Sequence, residues 1–98
     1  MASIPADSWH ADGLRDRLHK RGFKHLRVRK RGAVLTIESG DESEPYKHAR
    51  MTRDTVHLWR LDMATHRQTW ERTPHRATLD ELVDLMAATY PWTLEPIE

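Results

Sequence analysis

The chain has 98 residues, one domain's worth, with four Trp, no Cys and a formal net charge of +1. At that length roughly 60–65% of the unfolded surface can be buried, which supports one core and excludes a second domain. The absence of cysteine excludes a disulfide framework and a thiolate metal site. No apolar run approaches the ~20 residues of a membrane span. Met1–His10 has neither a basic n-region nor an apolar h-region, so the expectation is a cytoplasmic protein without a signal peptide.

Residues 1–6 read as a frayed lead. Asp7 or Ser8 can cap a helix that runs to about Arg21, with Gly22 just past its end. Ala11, Leu14 and Leu18 form its narrow apolar stripe. Phe23–Lys30 alternates like a strand, Arg31-Gly32 marks a turn, and Ala33–Glu38 returns as the second arm of a hairpin. Ser39–Pro45 is an acidic, exposed loop.

Three further strands follow, Tyr46–Thr52, Thr55–Met63 and Gln68–Arg72. A two-residue turn at Arg53-Asp54 sets Arg50 opposite His57 and His48 opposite Trp59. A turn centred on Thr65-His66 sets Leu61 opposite Trp70. In that register Tyr46, His48, Arg50, His57, Trp59, Leu61, Met63 and Trp70 share one face, which is the heavier one and is expected to meet the helices. Lys47, Ala49, Met51, Val56, Leu58, Arg60 and Asp62 take the other. Thr73–Ala77 reads as a loop. Thr78 with Glu81 forms a capping box ahead of Leu79, Leu82, Val83, Met86 and Tyr90, the stripe of a helix ended by Pro91. Residues 93–98 are a second frayed tail, with Trp92 folded back on the core. The fold class expected is α+β: a single domain, 1–98, with an antiparallel meander sheet of four to five strands. An N-terminal and a C-terminal helix lie on one of its faces, in the order α-β-β-β-β-β-α.

The small net charge conceals a strong asymmetry. Between Leu14 and Arg31 lie Arg15, Arg17, Lys20, Arg21, Lys24, Arg27, Arg29, Lys30 and Arg31 against the single acid Asp16, a net +8 that leaves −7 for the rest. Read as one helix face continuing into one hairpin, this stretch can meet phosphates without sequence preference or an acidic protein surface. It can also serve only as a solvated face and a charged sheet edge. Its one aromatic residue is Phe23, so it offers no interleaved rings on which bases could stack.

Catalytic motifs are absent. There is no Gly-x-Ser-x-Gly elbow, phosphate-binding Gly loop or His-Glu-x-x-His, and Ser3, Ser8, Ser39 and Ser43 fall in tails, loops or a helix cap. Seven His are present, and His48, His57, His66 and His75 recur every nine residues. In a meander that spacing does not gather them. The sharper candidate set is His48, Arg50 and His57, an acid–base pair or, with Glu44 or Asp54, a metal site. No ligand spacing supports it, and no cofactor, metal or small-molecule ligand is expected.

The helix–strands–helix order resembles double-stranded RNA-binding domains and the related HicA-type mRNA-interferase toxins, and Leu18-His19-Lys20-Arg21-Gly22-Phe23 resembles the end of the toxins' first helix. That resemblance implies a basic helix ahead of a sheet. The toxins' Gly-Ser-His context is replaced here by Lys30-Arg31-Gly32-Ala33. The RNA-binding domains' Lys-rich helix start is replaced by His75-Arg76-Ala77-Thr78, so no site residue carries over. A second resemblance spans Arg27 to Leu85, to a family of small uncharacterised bacterial domains. It rests on Arg31–Glu38, Ala49-Arg50, the hairpin from Leu58-Trp59-Arg60-Leu61 to Thr69-Trp70-Glu71, and Leu79-Asp80-Glu81-Leu82; it implies the fold and no activity.

These features point first to a small non-enzymatic accessory or adaptor domain that binds a protein partner. Nucleic-acid binding through the Leu14–Arg31 surface is the alternative. A small His-dependent nuclease or metal-binding protein ranks behind both.

Overall fold

The structure is a computed structural model that describes residues 4–95. Its order is helix α1 (Ser8–Lys20), strands β1 (Arg27–Arg31), β2 (Val34–Ser39), β3 (Tyr46–Arg53), β4 (Trp59–Ala64) and β5 (Trp70–Ala77), helix α2 (Leu79–Thr89) and a 3₁₀ turn, Pro91–Leu94. The strands form one open antiparallel sheet in the order β1-β2-β3-β4-β5. Every neighbouring pair is sequential, so short connections suffice.

Both helices pack on one face of this sheet. Leu14 and Leu18 of α1 and Leu82, Val83 and Met86 of α2 share a core with Leu35, Ile37, Ala49, Met51, Trp59, Leu61 and Met63. Local sequence sets the helix limits. The Asp7 backbone N–H donates to Nδ1 of His10 at 2.9 Å at the start of α1, and Gly22, with φ +96°, follows its end. At α2 the Thr78 hydroxyl accepts from the Glu81 N–H, and the Glu81 carboxylate accepts from both the Thr78 N–H and its hydroxyl. In the β1–β2 turn Gly32 has φ +58° as first central residue, the position a two-residue hairpin reserves for glycine.

The register differs from the sequence expectation at both later turns. Arg53 pairs with Trp59 and encloses a five-residue loop, 54–58, in which the Leu58 carbonyl accepts from the Asp54 and Thr55 N–H groups. Ala64 pairs with Trp70 around Thr65–Thr69, whose second-last residue, Gln68, has φ 63°. Each shift is by an odd number of residues, and an odd shift exchanges the faces. Ala49 and Met51 therefore join Trp59, Leu61 and Met63 in the core, whereas Arg50 and Trp70 lie on the opposite face. β5 also continues through the expected loop 73–77. Arg60 pairs with Arg76 and Asp62 with Arg72, so Thr73, Pro74 and His75 bulge opposite Leu61, and the Thr73 hydroxyl donates to the Leu61 carbonyl at 2.7 Å. The edge strand tolerates Pro74 because it lies in this bulge, outside the paired residues, where a missing N–H breaks no ladder bond.

A second bulge lies in β3, between the Ile37–Ala49 and Glu38–Lys47 pairs, and leaves His48 unpaired. Beyond it the Gln68 side chain substitutes for a neighbouring strand. Its Oε1 accepts from the Lys47 N–H at 2.7 Å and its Nε2 donates to the Lys47 carbonyl at 3.1 Å.

The chain ends described here are packed, not frayed. Ala6 is buried, and its N–H donates to the Gly32 carbonyl. At the other end Leu94, not Trp92, closes the core: Leu94 is fully buried, while Trp92 is 64% exposed. Residues 1–3 and 96–98 of the expected tails lie outside the described residues. Among the described residues no helix is long and apolar enough to cross a membrane.

Met51 and Leu61 face each other at the sheet centre, both at 0% exposure. Leu61→Ala is expected to cost about 2–5 kcal/mol of unfolding free energy. Thr52→Ala, one residue along and on the other face, is expected to cost within about 0.5 kcal/mol. Urea unfolding midpoints check this, and equal losses would contradict the assignment of faces.

Candidate functional site

The face turned away from the helices carries three cross-strand rows. The central one crosses all five strands: Arg29, Thr36, Arg50, Asp62 and Arg72 pair in succession from β1 to β5. Beside it runs Arg31, Val34, Thr52, Arg60 and Arg76 by the same pairings. On the other side lie Arg27, Glu38 and Lys47, with Trp70 opposite Ala64. The rows hold eight cations and two carboxylates.

Both carboxylates are committed to neighbouring cations. Glu38 is nearly buried and sits 3.5 Å from Nε of Arg27 and 3.3 Å from Nε of Arg29. Asp62 accepts from Nε of Arg50 at 2.8 Å. The Arg50 guanidinium in turn lies 4.6 Å from the centre of the Trp70 ring, and Nζ of Lys47 lies 6.0 Å from it. Arg76 pairs with Asp54. Arg31, Arg60 and Arg72 make no ion pair among the described residues.

The surface between these side chains is a shallow groove of about 290 Å³, floored by Val34 and Thr36 and walled by Arg29, Lys47, Arg50 and Trp70. A second hollow, of about 250 Å³, continues from Val34 and Arg50 to Arg60 and Arg72. Together they make one furrow across an uncovered sheet.

The nine basic residues between Leu14 and Arg31 do not form the single surface expected of them. Arg27, Arg29 and Arg31 alternate onto the open sheet face, while Lys30 projects to the other side of β1. Those of α1 lie on the helical side, and acids there offset them. Arg17 is 3.5 Å from both Asp80 and Asp84, Arg21 is 2.8 Å from Asp84, and Arg15 meets Asp12 and Asp16. Lys20 and Lys24 are exposed. The offsetting charges come from α1 itself and α2, not from the 41–44 loop.

His48, Arg50 and His57 are not brought together. The β3 bulge turns His48 into the core side, His57 is exposed in the 54–58 loop, and Arg50 is on the open face. Of the other two in the nine-residue series, His66 is exposed in the β4–β5 turn and His75 bonds to the Tyr90 hydroxyl at 3.1 Å. Of the proposed carboxylate ligands, Asp54 holds Arg76 and Glu44 is exposed in its loop. Among the described residues no three His, Asp or Glu side chains converge as metal ligands would.

His48 has a structural task instead. Its Nδ1 donates to the Thr93 carbonyl at 2.6 Å and its Nε2 accepts from the Ser39 hydroxyl at 2.7 Å. Nε2 of His25 donates to the next carbonyl, that of Leu94, at 2.7 Å. Two histidines thus hold the C-terminal turn that carries Leu94 into the core. Burial pushes the His48 pKa below the usual imidazole value, against the Thr93 carbonyl, with the nearby His25 also lowering it. His10 is lowered as well, chiefly by burial and then by Arg53.

Comparison with protein-family models, curated proteins and solved structures gave no match for the chain. Fold and site rest on its own residues.

The sign of the pH dependence follows from the two lowered histidines. The unfolded chain takes up protons near pH ~6.5 while the folded chain still resists them. Stability is therefore fully present above that pH and is lost as pH falls through it toward the folded values. Urea midpoints at pH 7.5 and 5.5 are expected to show the drop. His48→Gln is expected to be less stable at pH 7.5, by about 1–3 kcal/mol for buried partners left unmet, and to show a smaller drop between the two pH values. An equal drop in the variant would contradict the role given to His48.

Proposed function

We propose that this domain binds nucleic acid through the open face of its sheet, in the cytoplasm and without enzymatic activity. The observation that carries the reading is the distribution of charge. Eight cations from four of the five strands, β1, β3, β4 and β5, share the one sheet face that no helix covers, and its two carboxylates are already held by arginines. Seven of the eight are arginines, whose planar guanidinium groups meet phosphate oxygens in pairs. A folded protein gains little stability from assembling like charges on one face. A polyanion that neutralises them offsets that repulsion and releases its counterions.

A second reading, contact with a protein partner, draws on a different place. Trp9 and Val56 are 66% and 56% exposed and line a shallow hollow with Leu79. Exposed apolar side chains grouped in this way suit a protein contact. That contact is expected to survive high salt, which separates the two readings.

The experiment is a titration of labelled oligonucleotide at several salt concentrations. If four or five of the cations each meet a phosphate, the logarithm of affinity should fall against the logarithm of salt with a slope of roughly −3 to −4. Arg31→Glu with Arg60→Glu should weaken binding at every sequence tested and make the slope shallower by about one to two. Arg15→Glu on α1, already offset by two acids, should leave both unchanged. Loss of binding from the α1 variant, with the sheet variant unaffected, would reverse the assignment.

A further inference from the structure

Resting on that reading, we infer that the strand bound is unpaired, with one base stacked in the groove walled by Trp70, Arg50 and Lys47. The face is broad and has no projecting rod. Five strands at ~4.8 Å spacing make a platform about 19 Å across, too wide to enter a major groove of ~12 Å. A duplex can meet it only through phosphates.

A single strand can use more of it. Arg29, Arg50 and Arg72 stand on alternate strands of one row, about 10 Å apart by the same spacing. A backbone crossing from β1 to β5 therefore passes a cation at each interval. Its bases, having no partner strand, are free to turn toward the sheet, and Trp70 is the ring that meets them there. Any base can stack on an indole, because every base has a π-face.

Trp70 is half-buried and set in advance. Trp70 stands opposite Ala64 in the β4–β5 pair, and its ring lies against the Arg50 guanidinium, which Asp62 fixes at 2.8 Å. Neither side chain has to give up much rotamer freedom on binding. The guanidinium plane is itself a surface on which bases stack, so a base entering the groove extends an aromatic–cationic stack already present. The other exposed tryptophans have no such setting: Trp9 and Trp92, 66% and 64% exposed, stand outside the cation rows.

The selectivity is for unpaired strand over duplex, with little regard to base identity. Fluorescence anisotropy with a twelve-nucleotide oligo-deoxythymidine, an oligouridine of the same length and a twelve-base-pair DNA duplex, at one salt concentration, measures it. The intact chain should bind both single strands at least about tenfold more tightly than the duplex. Trp70→Ala should lower the two single-strand affinities by roughly tenfold, leave the duplex affinity and the salt slope unchanged, and so erase the preference. Trp70→Phe should keep most of it, and thermal melts of both variants confirm that they are folded. Equal affinity for duplex and single strand in the intact chain overturns the inference. So does an equal loss of both in Trp70→Ala, while the charge-reversal result still upholds nucleic-acid binding. If neither form binds even at low salt, both readings fall. A gap between the thymidine and uridine oligomers tells whether the 2′-hydroxyl is also read.

Discussion

Met51 and Leu61 oppose each other on β3 and β4, each at 0% exposure, and the rest of the sheet takes its orientation from that pair. Their burial in the core shared with α1 and α2 removes both apolar side chains from water. Because side chains alternate, seating these two commits Arg50 and Asp62 to the opposite face, and with them Thr36, Arg29 and Arg72 in the same row. A slip of one residue would bury Arg50 and expose Met51. The hydrophobic face thus fixes where the charge goes, although the charge contributes little to holding the sheet together.

The two sides of the domain then handle their cations differently. On the helical side the arginines of α1 meet aspartates of α1 and α2 at 2.8 to 3.6 Å, and the surface is close to balanced. Exposed pairs of this kind stabilise little; their effect is to cancel the field. On the sheet side Arg31, Arg60 and Arg72 have no such partner among the described residues. Glu38 and Asp62 orient Arg27, Arg29 and Arg50 without neutralising the face. Orientation by a carboxylate with charge to spare is the arrangement suited to an anionic ligand.

What sequence could reveal follows the range of the interaction involved. The helix of Leu79–Thr89 is legible because Thr78, Glu81 and the Leu82–Val83–Met86 stripe act within a few residues of each other. The first hairpin is legible for the same reason, through Gly32. The third turn is not: Thr55, Val56 and Leu58 have strand-forming character, yet they loop because the longer connection lets Ala49 and Met51 join Trp59, Leu61 and Met63 in the core in place of Arg50. Pro74 reads as a break, yet the bulge lets β5 run past it. The fold class survives such errors, since neither moves an element to another layer. The site does not survive them. Arg27, Arg29 and Arg31 alternate visibly in the chain, but Trp70 reaches their face only through two strand registers set by tertiary packing. Phe23 was the one aromatic residue that local reading could offer to the basic stretch, and the ring that joins it lies about forty residues further on.

The claim that all of this depends on is that the binding face is the sheet and not α1. Backbone and tryptophan side-chain NMR shifts recorded during titration with a single-stranded oligonucleotide test it most directly. The account predicts movement of the amides of Arg29, Thr36, Arg50, Asp62 and Arg72 and of the Trp70 indole N–H, with α1 and α2 still. Shifts confined to Arg15, Lys20 and Lys24, or to the Trp9 indole, would contradict it.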